Sequence, residues 1–351
     1  MLNLPNTNPS PDSLSVLILG ARGRLGLAAA RAFAQSGWRV HAQVRPVSGA
    51  MDPFAGIVGV QQVELPLDDH AALAKAAAGA CVVVHAVNPL HTHAQWRTAA
   101  PAMLEAAISV SRQLGARLML PGNVYNFGES MPRELREDTL QKPSTVKGGI
   151  RVAMEQRLAD AAQQGDMRAV VIRAGNFFGS GRDSWLDQGM ANKLKRGRMM
   201  YPGTMDVPAP WAYLPDLARS FVQVAQKSDS LPAFDTLHFG GYSLTGNDWV
   251  EVLTDIACQQ GWLPAGGHLK VGSLPWRLIG LGGWVRPTWA ALMEMRYLWQ
   301  RPHSLVSHKL ARVIGAEPRT PFAVAVRTAL DDLGWLNELS GAANLQASRG
   351  S

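Results

Sequence analysis

Three glycines with a spacing of three residues constrain the fold of this chain more than any other feature. Gly20, Gly23 and Gly26 follow an apolar run at residues 14–19 and lead into a helical pattern at residues 25–35. Between a strand and a helix, such glycines permit a tight turn and bring backbone N–H groups close to a pyrophosphate. The pattern therefore favours a dinucleotide-binding βαβ unit, and the alternative is a glycine turn with a structural role alone.

The composition is that of a folded protein of enzyme size. Of the 351 residues, 47% are hydrophobic and 17% are charged, which predicts a large buried core. Two cysteines are too few for a disulfide scaffold or a Cys-rich zinc site. No apolar run is long enough to span a membrane, and residues 1–13 lack the pattern of a signal peptide. These features predict a cytoplasmic protein with disordered tails at residues 1–13 and 341–351.

A net charge of +7 leaves the kind of anionic partner open. A basic chain suits nucleic acid, a phosphorylated cofactor or an anionic substrate. The densest basic run, residues 193–198, contains no aromatic residue and matches no nucleic-acid-binding motif. We interpret it as a solvated helix end, with capture of a substrate anion as the alternative.

Short apolar segments alternate with helical patterns through residue 180, which is typical of βαβ units and a parallel sheet. Strands are predicted at residues 14–19, 38–44, 81–87, 117–120 and 168–173, and near residues 237–240. Helices are predicted at residues 25–35, 71–78, 94–114 and 150–163, with a kink at Pro101.

The fold class that follows is an α/β protein with a Rossmann-type doubly wound parallel sheet. We assign the NAD(P)-binding domain to residues 14–180 and 206–240. A smaller, mostly helical substrate-binding region is assigned to residues 181–205 and 241–335, where Thr245 and Asp248 have the spacing of a capping box.

The end of the second strand bears on which dinucleotide would bind. An acidic residue there would bond the ribose 2′-hydroxyl of NAD, but this chain has Arg45 followed by Pro46. Arg22 and Arg24 lie in the glycine turn, and guanidinium groups bind phosphate through paired hydrogen bonds. The three arginines favour NADP over NAD. A surface position unrelated to the cofactor would explain one of them more readily than all three.

Four further motifs carry a resemblance to a known family. They are Val83-Val-His85-Ala86, Asn123-Val-Tyr125, Arg173-Ala-Gly-Asn176-Phe-Phe-Gly179 and Trp211-Ala-Tyr213-Leu-Pro-Asp216-Leu-Ala218. With the glycine turn, they resemble the extended short-chain dehydrogenase/reductase family, also called the NAD-dependent epimerase/dehydratase family, over residues 14–240. The resemblance implies a Rossmann sheet of about seven strands and a C-terminal substrate domain. It also implies hydride transfer between nicotinamide and a substrate carbon, often on nucleotide sugars.

The resemblance further implies roles for individual residues. Ala86 and Val87 end a strand that approaches the cofactor. Gly175 and Asn176 follow the strand beside the nicotinamide, and Asp216 has a structural role. The predicted cofactor-binding residues are Gly20, Arg22, Gly23, Arg24, Leu25, Gly26, Arg45, Ala86, Val87, Arg151, Gly175 and Asn176.

The chain departs from the family at all three catalytic positions. The family has a Tyr-x-x-x-Lys pair on a helix and a Ser or Thr on the preceding strand and loop. Here Lys147 occupies the Tyr position, Arg151 the Lys position and Pro121 the Ser position. The family's adenine-binding Gly-Asp pair is likewise replaced, by Leu65 and Pro66.

Lys147 and Arg151 are expected on one face of a helix, because side chains four residues apart are neighbours there. Arg151 cannot titrate, but its charge would lower the pKa of a nearby lysine, and it can donate to ribose hydroxyls. Lys147 is therefore a candidate general acid towards a carbonyl oxygen, with Tyr125 and Asn123 as the other polar candidates. The alternative is a catalytically silent pair that clamps the cofactor, with Arg151 also paired to Glu155.

Three histidines lie in or shortly after the third predicted strand. His85 lies in a predicted strand and is interpreted as a core residue. His91 and His93 have no acidic or cysteine residue nearby, so no metal site is expected.

The tryptophan-rich segment at residues 276–299 has three interpretations: it roofs a pocket for an apolar or aromatic carbonyl, fills the core of the smaller region, or docks on a membrane surface.

The function expected is that of an NAD(P)-dependent oxidoreductase or epimerase-like enzyme acting on a carbonyl or hydroxyl of a small molecule. The alternative is a catalytically silent NADP(H)-binding sensor, because the family's Ser, Tyr and Lys are all replaced. The cationic hydrogen-bond donors and the full substrate region favour the enzyme. We expect no nucleic-acid or membrane partner, and homodimer formation is left open.

Overall fold

The computed structural model describes residues 14–46, 52–89, 92–282 and 287–337. Both predicted tails and His91 lie outside the described residues, and what was said of them stays a prediction. Among the described residues, no helix is long and apolar enough to cross a membrane.

The strands of the described residues form one large sheet and three small ones. The strands are β1 Ser15–Leu19, β2 Arg39–Val44, β3 Val60–Glu64, β4 Val82–His85, β5 Arg117–Gly122, β6 Glu134–Leu135, β7 Arg168–Arg173, β8 Asn176–Phe178, β9 Arg198–Tyr201, β10 Ala209–Tyr213, β11 Phe234–His238, β12 Tyr242–Leu244, β13 Lys270–Ser273 and β14 Ser304–Leu305. Seven of them form a parallel sheet in the order β3-β2-β1-β4-β5-β7-β11. The small sheets are β8-β10-β12, β9-β13 and β6-β14.

Some of the helices cover both faces of the large sheet, and others pack in the region after β11. They are α1 Arg24–Gln35, α2 His70–Ala76, α3 His93–Leu114, α4 Val146–Gln163, α5 Leu214–Gln226, α6 Gly246–Gln259, α7 Trp276–Gly282, α8 Pro287–Met293, α9 His308–Ile314 and α10 Phe322–Asp331. Successive residues of β1 point to opposite faces, as a strand requires. Val16 packs with α1 and α5 on one face, and Leu17 packs with α3 and α4 on the other. This is the doubly wound α/β fold that the strand–helix alternation predicted.

The order of the strands defines where a ligand can bind. The chain begins with β1 in the middle of the sheet, continues outward to β3, and then crosses over to β4 on the other side of β1. In open α/β sheets the crevice at such a reversal lies at the carboxyl ends of the strands. The carboxyl ends of β1 and β4 are therefore the edge at which the site residues are expected.

One strand of the sheet was not predicted. β3 has the sequence Val-Gln-Gln-Val-Glu, and only Val63 in it is buried. An edge strand with one apolar face lacks the continuous hydrophobic run by which the central strands were identified. The strand predicted as the third, at residues 81–87, is consequently the fourth in chain order.

The helices α3 and α6 each contain a feature that the sequence predicted. The capping box is confirmed, since the Thr245 and Asp248 side chains bond each other's backbone N–H groups at the start of α6. α3 continues through Pro101, where a kink was predicted, and ends at Gly115, whose φ of +64° closes the helix.

Tryptophans fill the core of the region after β11. Trp249 and Trp299 are fully buried and pack with Trp211, which belongs to β10. Trp276 is held by a hydrogen bond from its Nε1 to the Pro202 carbonyl at 2.7 Å. Trp299 therefore fills the core, whereas Trp276 is half-buried and the interpretation of this segment as a pocket roof stays a prediction for it. Trp284, in the same segment, lies outside the described residues.

Candidate active site

The glycine turn brings the start of α1 against the end of β4. Gly20 has a φ of +77°, and a Cβ there would lie 2.6 Å from Val87 Cγ1, so only glycine fits. Gly26 is equally restricted, because a Cβ on it would lie 2.4 Å from the Gly20 carbonyl oxygen. Gly23 is exposed and caps the N-terminus of α1, whose first turn contains no acidic residue. The turn thus leaves the helix N-terminus open to an anion.

A buried glutamine that sequence reasoning missed fixes the turn. Gln43 on β2 accepts a hydrogen bond from Gly20 N–H at 2.8 Å through Oε1. Its Nε2 donates to the Leu65 carbonyl at 2.7 Å, so that one side chain links β1, β2 and the end of β3. The sequence gives little signal for it, because Gln43 is one of three polar residues that alternate with apolar ones in β2, two positions before Arg45.

The three arginines considered for a phosphate take different positions. Arg45 is exposed immediately after β2, and Arg22 is half-buried in the turn. Arg24 Nη1 lies 3.4 Å from the Phe177 carbonyl oxygen in β8. Burial lowers the pKa of Arg24, and the nearby carboxylates of residues 183 and 187 oppose that shift. β8 follows β7, which lies on the other side of β1 from β2 in the sheet. The Arg24 side chain is therefore directed away from Arg45, which follows β2.

The end of β4 lies directly beneath the glycine turn. Ala86 N–H donates to the Leu19 carbonyl at 2.9 Å, and a Cβ on Gly23 would lie 3.6 Å from the Ala86 carbonyl oxygen. Leu25 is buried in the first turn of α1. Ala86 and Val87 are half-buried at this edge, where sequence reasoning placed them for cofactor contact.

Lys147 and Arg151 lie side by side on α4 and face one tryptophan of α3. The Lys147 Nζ is 5.4 Å from the centre of the Trp96 ring, and the Arg151 guanidinium carbon is 5.1 Å from it. Both cationic side chains are more than nine-tenths buried. Stacking against an aromatic face stabilises a cation more strongly when water is excluded, so Trp96 holds both charges in place.

Arg151 is directed towards the carboxyl ends of β4 and β5. Its Nη1 lies 3.4 Å from the Pro121 carbonyl oxygen, and its Nη2 lies 3.4 Å from Asn88 Oδ1. The predicted ion pair between Arg151 and Glu155 is not formed. Glu155 pairs instead with Arg173, whose Nη2 is 2.6 Å from Glu155 Oε2. This pairing leaves the Arg151 guanidinium at the candidate site.

The two cations influence each other and their neighbours electrostatically. Burial lowers the pKa of Lys147, Glu294 opposes that shift, and the Arg151 charge adds to it. Burial also lowers the pKa of Arg151, while Tyr125 and Glu155 oppose the change. The pKa of Tyr125 is raised by burial, with Arg151 acting against it. Burial and the Arg151 charge thus favour loss of the Lys147 proton, whereas burial makes the Tyr125 proton harder to remove.

Asn123 and Tyr125 belong to the loop after β5. Asn123 Oδ1 accepts a hydrogen bond from Tyr125 N–H at 2.9 Å and so shapes the turn at residues 125–127. The Asn123 side chain thus has a structural contact in addition to the catalytic role considered for it. Tyr125 is half-buried, and its phenol interacts electrostatically with Arg151.

The segment after α8 contributes two residues that sequence reasoning missed. Glu294 Oε1 accepts a hydrogen bond from Val146 N–H at 3.3 Å, at the first residue of α4. Its Oε2 lies 3.0 Å from His93 Nε2 at the start of α3. Tyr297 is buried with no hydrogen-bond partner for its hydroxyl among the described residues, and burial followed by the charge of Tyr125 raises its pKa. No local pattern in the sequence identifies Glu294 or Tyr297. Glu294 is 148 residues along the chain from Val146, to which it bonds, so this contact exists only in the folded structure.

Gly175 and Asn176 connect β7 to β8. A Cβ on Gly175 would lie 2.2 Å from the Pro210 carbonyl oxygen, so the close approach that requires glycine here is to β10. Asn176 is half-buried and pairs with Trp211 in the β8–β10 ladder. Asp216 is buried and accepts bonds from the Thr320 N–H and hydroxyl, both at 2.7 Å, which agrees with the structural role implied for it.

The histidines offer no metal site among the described residues. His85 is buried in β4, and burial together with the Arg151 charge lowers its pKa to about 4. No cluster of three or more His, Cys, Asp or Glu side chains able to hold a metal ion occurs in the part of the chain that the structure describes.

The basic run at residues 193–198 is exposed at its charged positions, as a solvated turn. Lys193 and Arg198 from this run line a surface cavity of about 280 Å³ together with Lys270 of β13. Met199 and Met200 of β9 form its apolar side. Three cations beside two methionines suit an anion that carries an apolar part.

Comparisons with known proteins agree with this fold. Residues 16–240 match the model of the NAD dependent epimerase/dehydratase family. A search of curated proteins found no match. The solved structure of UDP-glucose 4-epimerase from Brucella ovis in complex with NAD is 16% identical, with a TM-score of 0.70 over 93% of this chain and 99% of that chain.

Two further structures are similar to the same extent. UDP-glucose 4-epimerase with UDP-glucose from Thermotoga maritima is 15% identical, with a TM-score of 0.67 over 91% of this chain and 98% of that chain. The UDP-Glc/GlcNAc 4-epimerase from Campylobacter jejuni is 14% identical, with a TM-score of 0.67 over 91% and 99% of the two chains. At these identities the likeness shows a shared fold.

Proposed function

Since the chain belongs to the NAD dependent epimerase/dehydratase family, we propose that it is an NADP-dependent oxidoreductase acting on a small-molecule carbonyl or hydroxyl. Lys147 is the residue that moves the proton, and Arg151 provides a fixed positive charge beside it. The observation that carries the proposal is the stacking of both cations on Trp96, at the carboxyl ends of β4 and β5.

The residues present fit a nicotinamide dinucleotide. Gly20 allows no Cβ, and Gly23 leaves the N-terminus of α1 exposed, which suits a pyrophosphate. Membership of the family supports a nicotinamide cofactor of either kind. The choice of NADP is supported by Arg45 and Arg22, which would bind the 2′-phosphate, while Arg24 would contribute its backbone N–H in the first turn of α1.

The chemistry of the site follows from its two cations. When bound, the cofactor would supply the hydride that reduces the substrate carbon. The Lys147 ammonium donates its proton to the carbonyl oxygen as negative charge develops there, and is left as a neutral amine. Arg151 keeps its proton and holds ribose hydroxyls in place. General-acid assistance of this kind contributes about 10²–10⁴-fold to a rate, which is the size of the effect asked of Lys147.

The substrate proposed is an anion with an apolar part. The choice is supported by the cavity lined by Lys193, Arg198, Lys270 and the two methionines, because it lies in the region assigned to substrate binding. A solved structure of the same fold holds UDP-glucose, so a phosphate-bearing substrate is the first to test. The aromatic carbonyl considered from the tryptophans loses part of its support, because Trp299 fills the core.

The test of the proposal is the oxidation of NADPH against a panel of carbonyl compounds that includes phosphate-bearing sugars. Wild-type protein is compared with Lys147→Met, and NADPH binding is measured for both by intrinsic fluorescence. We expect the turnover of the variant to fall by about 10²-fold or more while its affinity for NADPH is retained. Lys142→Met, at an exposed lysine before α4, is the matched control and is expected to keep full activity.

Each other outcome has a defined meaning. Turnover that is unchanged in Lys147→Met removes Lys147 from the mechanism but leaves the oxidoreductase. Tight NADPH binding without turnover of any substrate instead identifies the sensor, in which the two cations only clamp the cofactor.

A further inference from the structure

Glu294 joins the region after β11 to the helix that carries Lys147. Its Oε1 accepts a hydrogen bond from Val146 N–H at 3.3 Å, on the residue that precedes Lys147. Its Oε2 faces His93 Nε2 at 3.0 Å, and both of these atoms are shielded from solvent. A single carboxylate therefore contacts the first turns of the two helices that carry Lys147 and its stacking partner Trp96.

The surroundings of Lys147 otherwise disfavour its charged form. The side chain is buried, and its neighbour one helical turn further along is Arg151, which always carries a positive charge. A general acid must nevertheless hold its proton until the substrate oxygen takes it. Among the described residues, Glu294 is the carboxylate that opposes the effect of burial on Lys147.

We propose that Glu294 is a positioning residue for Lys147: its carboxylate provides the counter-charge that keeps the Lys147 ammonium protonated in the assembled site. The inference rests on the proposed role of Lys147 and adds a residue that the family pattern does not assign. It also gives the region after β11 a part in the chemistry, because the site lacks this charge until that region is packed against α4.

Several other charged and titratable groups lie near Lys147 and Glu294 and influence the protonation of Lys147. Arg151 on α4 opposes protonation of Lys147, and Glu155, although paired with Arg173, acts on Arg151. His93 on α3 competes with Lys147 for the Glu294 carboxylate when its imidazole is charged. The remaining groups are the phenols of Tyr125 and Tyr297 and the imidazole of His85 beside Arg151, whereas Glu129 acts on Tyr297 and is not among the groups that act on Lys147.

The experiment is a direct titration of Lys147 by NMR in the full-length protein. Lysine is labelled with ¹³C at Cε, and the Lys147 signal is assigned by its absence in Lys147→Met. Glu294→Gln removes the charge but keeps an acceptor for Val146 N–H. We expect this variant to lower the apparent pKa of Lys147 by about one unit, a tenfold change in the ratio of amine to ammonium at a given pH.

Glu129→Gln is the matched control, since Glu129 is an exposed carboxylate that acts on Tyr297 and is not among the groups that act on Lys147. It is expected to leave the Lys147 titration unchanged. A Lys147 pKa in Glu294→Gln equal to that of the wild type overturns the proposal. Should Glu294→Gln fail to fold, the same titration of Glu294→Asp decides, because retraction of the carboxylate must also lower the pKa of Lys147.

The titration is independent of turnover, so that the two proposals fail separately. Full turnover in Lys147→Met would end the catalytic role of Lys147 and leave the electrostatic pair as measured. An unchanged Lys147 pKa in Glu294→Gln would end the role of Glu294 and leave Lys147 as the acid.

Discussion

Glu155 on α4 forms its ion pair with Arg173 at the end of β7, although Arg151 lies one turn away on its own helix. Two Arg173 nitrogens contact the carboxylate, with Nη2 at 2.6 Å and Nε at 3.2 Å from Glu155 Oε2. Arg173 Nη1 also lies 3.2 Å from His238 Nε2. The consequence is that a fully buried pair ties α4 to the sheet, while Arg151 remains available to the candidate site.

This pair makes Glu155→Gln strongly destabilising. Removal of one partner of a buried ion pair leaves an uncompensated charge and costs about 3–5 kcal/mol. We expect a loss of that size in the free energy of unfolding, measured by denaturant titration. Replacement of both residues, Glu155→Met with Arg173→Met, is expected to recover part of the loss because no unpaired charge remains.

The matched control for this measurement is the exposed pair of Arg168 and Asp229, whose Nη1 and Oδ1 atoms are 3.0 Å apart. Asp229→Asn is expected to change the free energy of unfolding by less than about 1 kcal/mol, because solvent screens the pair. Equal losses in Glu155→Gln and Asp229→Asn would show that burial of the Arg173 pair has no such consequence.

Arg45→Asp is predicted to change the choice of cofactor. The exposed guanidinium after β2 would bind the 2′-phosphate of NADP, and a hydrogen bond to a charged group contributes about 1.5–3 kcal/mol. We expect the affinity for NADPH to fall by roughly 10–100-fold while the affinity for NADH is kept or improved, in parallel fluorescence titrations. Lys227→Asp introduces the same charge change at an exposed lysine after α5, beside Ser228, which contacts Arg117 at the amino end of β5, and should leave both affinities unchanged. Equal binding of NADPH and NADH that Arg45→Asp does not alter would contradict the assignment.

Gln43→Leu is predicted to weaken both the fold and the binding of cofactor. The substitution leaves Gly20 N–H and the Leu65 carbonyl without partners, and each buried unpaired group costs about 1–3 kcal/mol. The free energy of unfolding and the dissociation constant for NADPH are measured on the same sample. Gln62→Leu on β3 is the control, because among the described residues its amide bonds the exposed Glu64 side chain and no backbone group, and it should change neither quantity. A Gln43→Leu protein as stable as this control would remove the link between Gln43 and the glycine turn.

The buried imidazole of His85 predicts that stability declines in mild acid. Its pKa is lowered from 6.5 to about 4 by burial and by the Arg151 charge. Below about pH 6.5 the unfolded chain binds a proton at His85 that the folded chain does not, so stability is complete above that pH and falls towards pH 4.

His85→Leu removes this proton uptake, and we expect a shallower loss of unfolding free energy between about pH 7 and pH 5. His308→Leu, at an exposed histidine that begins α9, should keep the wild-type slope. Identical slopes in His85→Leu and the wild type would show that His85 is not the neutral imidazole described here.

The elements that were predicted correctly share a local cause. Strands such as β1 and β7 are continuous apolar runs, and the glycine turn is defined by residues within one short segment. β3 was missed because its edge position requires little burial. Likewise, the capping box at Thr245 could be identified because both of its partners lie within four residues.

The candidate site was predicted in part. Lys147 and Arg151 on one helix face follow from their spacing, and the structure places them together on Trp96. Their partners could not be inferred, because Glu294 is 148 residues from Val146, to which it bonds. Local spacing also could not show that Glu155 pairs with Arg173 and not with Arg151.

The sequence alone determined the parallel sheet and the glycine turn, because both follow from the periodicity and spacing of residues that are close along the chain. It also showed directly that the family's catalytic residues are replaced. The partner of each buried charge depends on which helices and strands pack together, and that was decided only by the tertiary structure. In the low-dielectric interior this partner determines the pKa of the charged group and the free-energy cost of burying it. Gln43 beneath Gly20, Glu294 at the start of α4 and Arg173 against Glu155 are therefore properties of the packed structure.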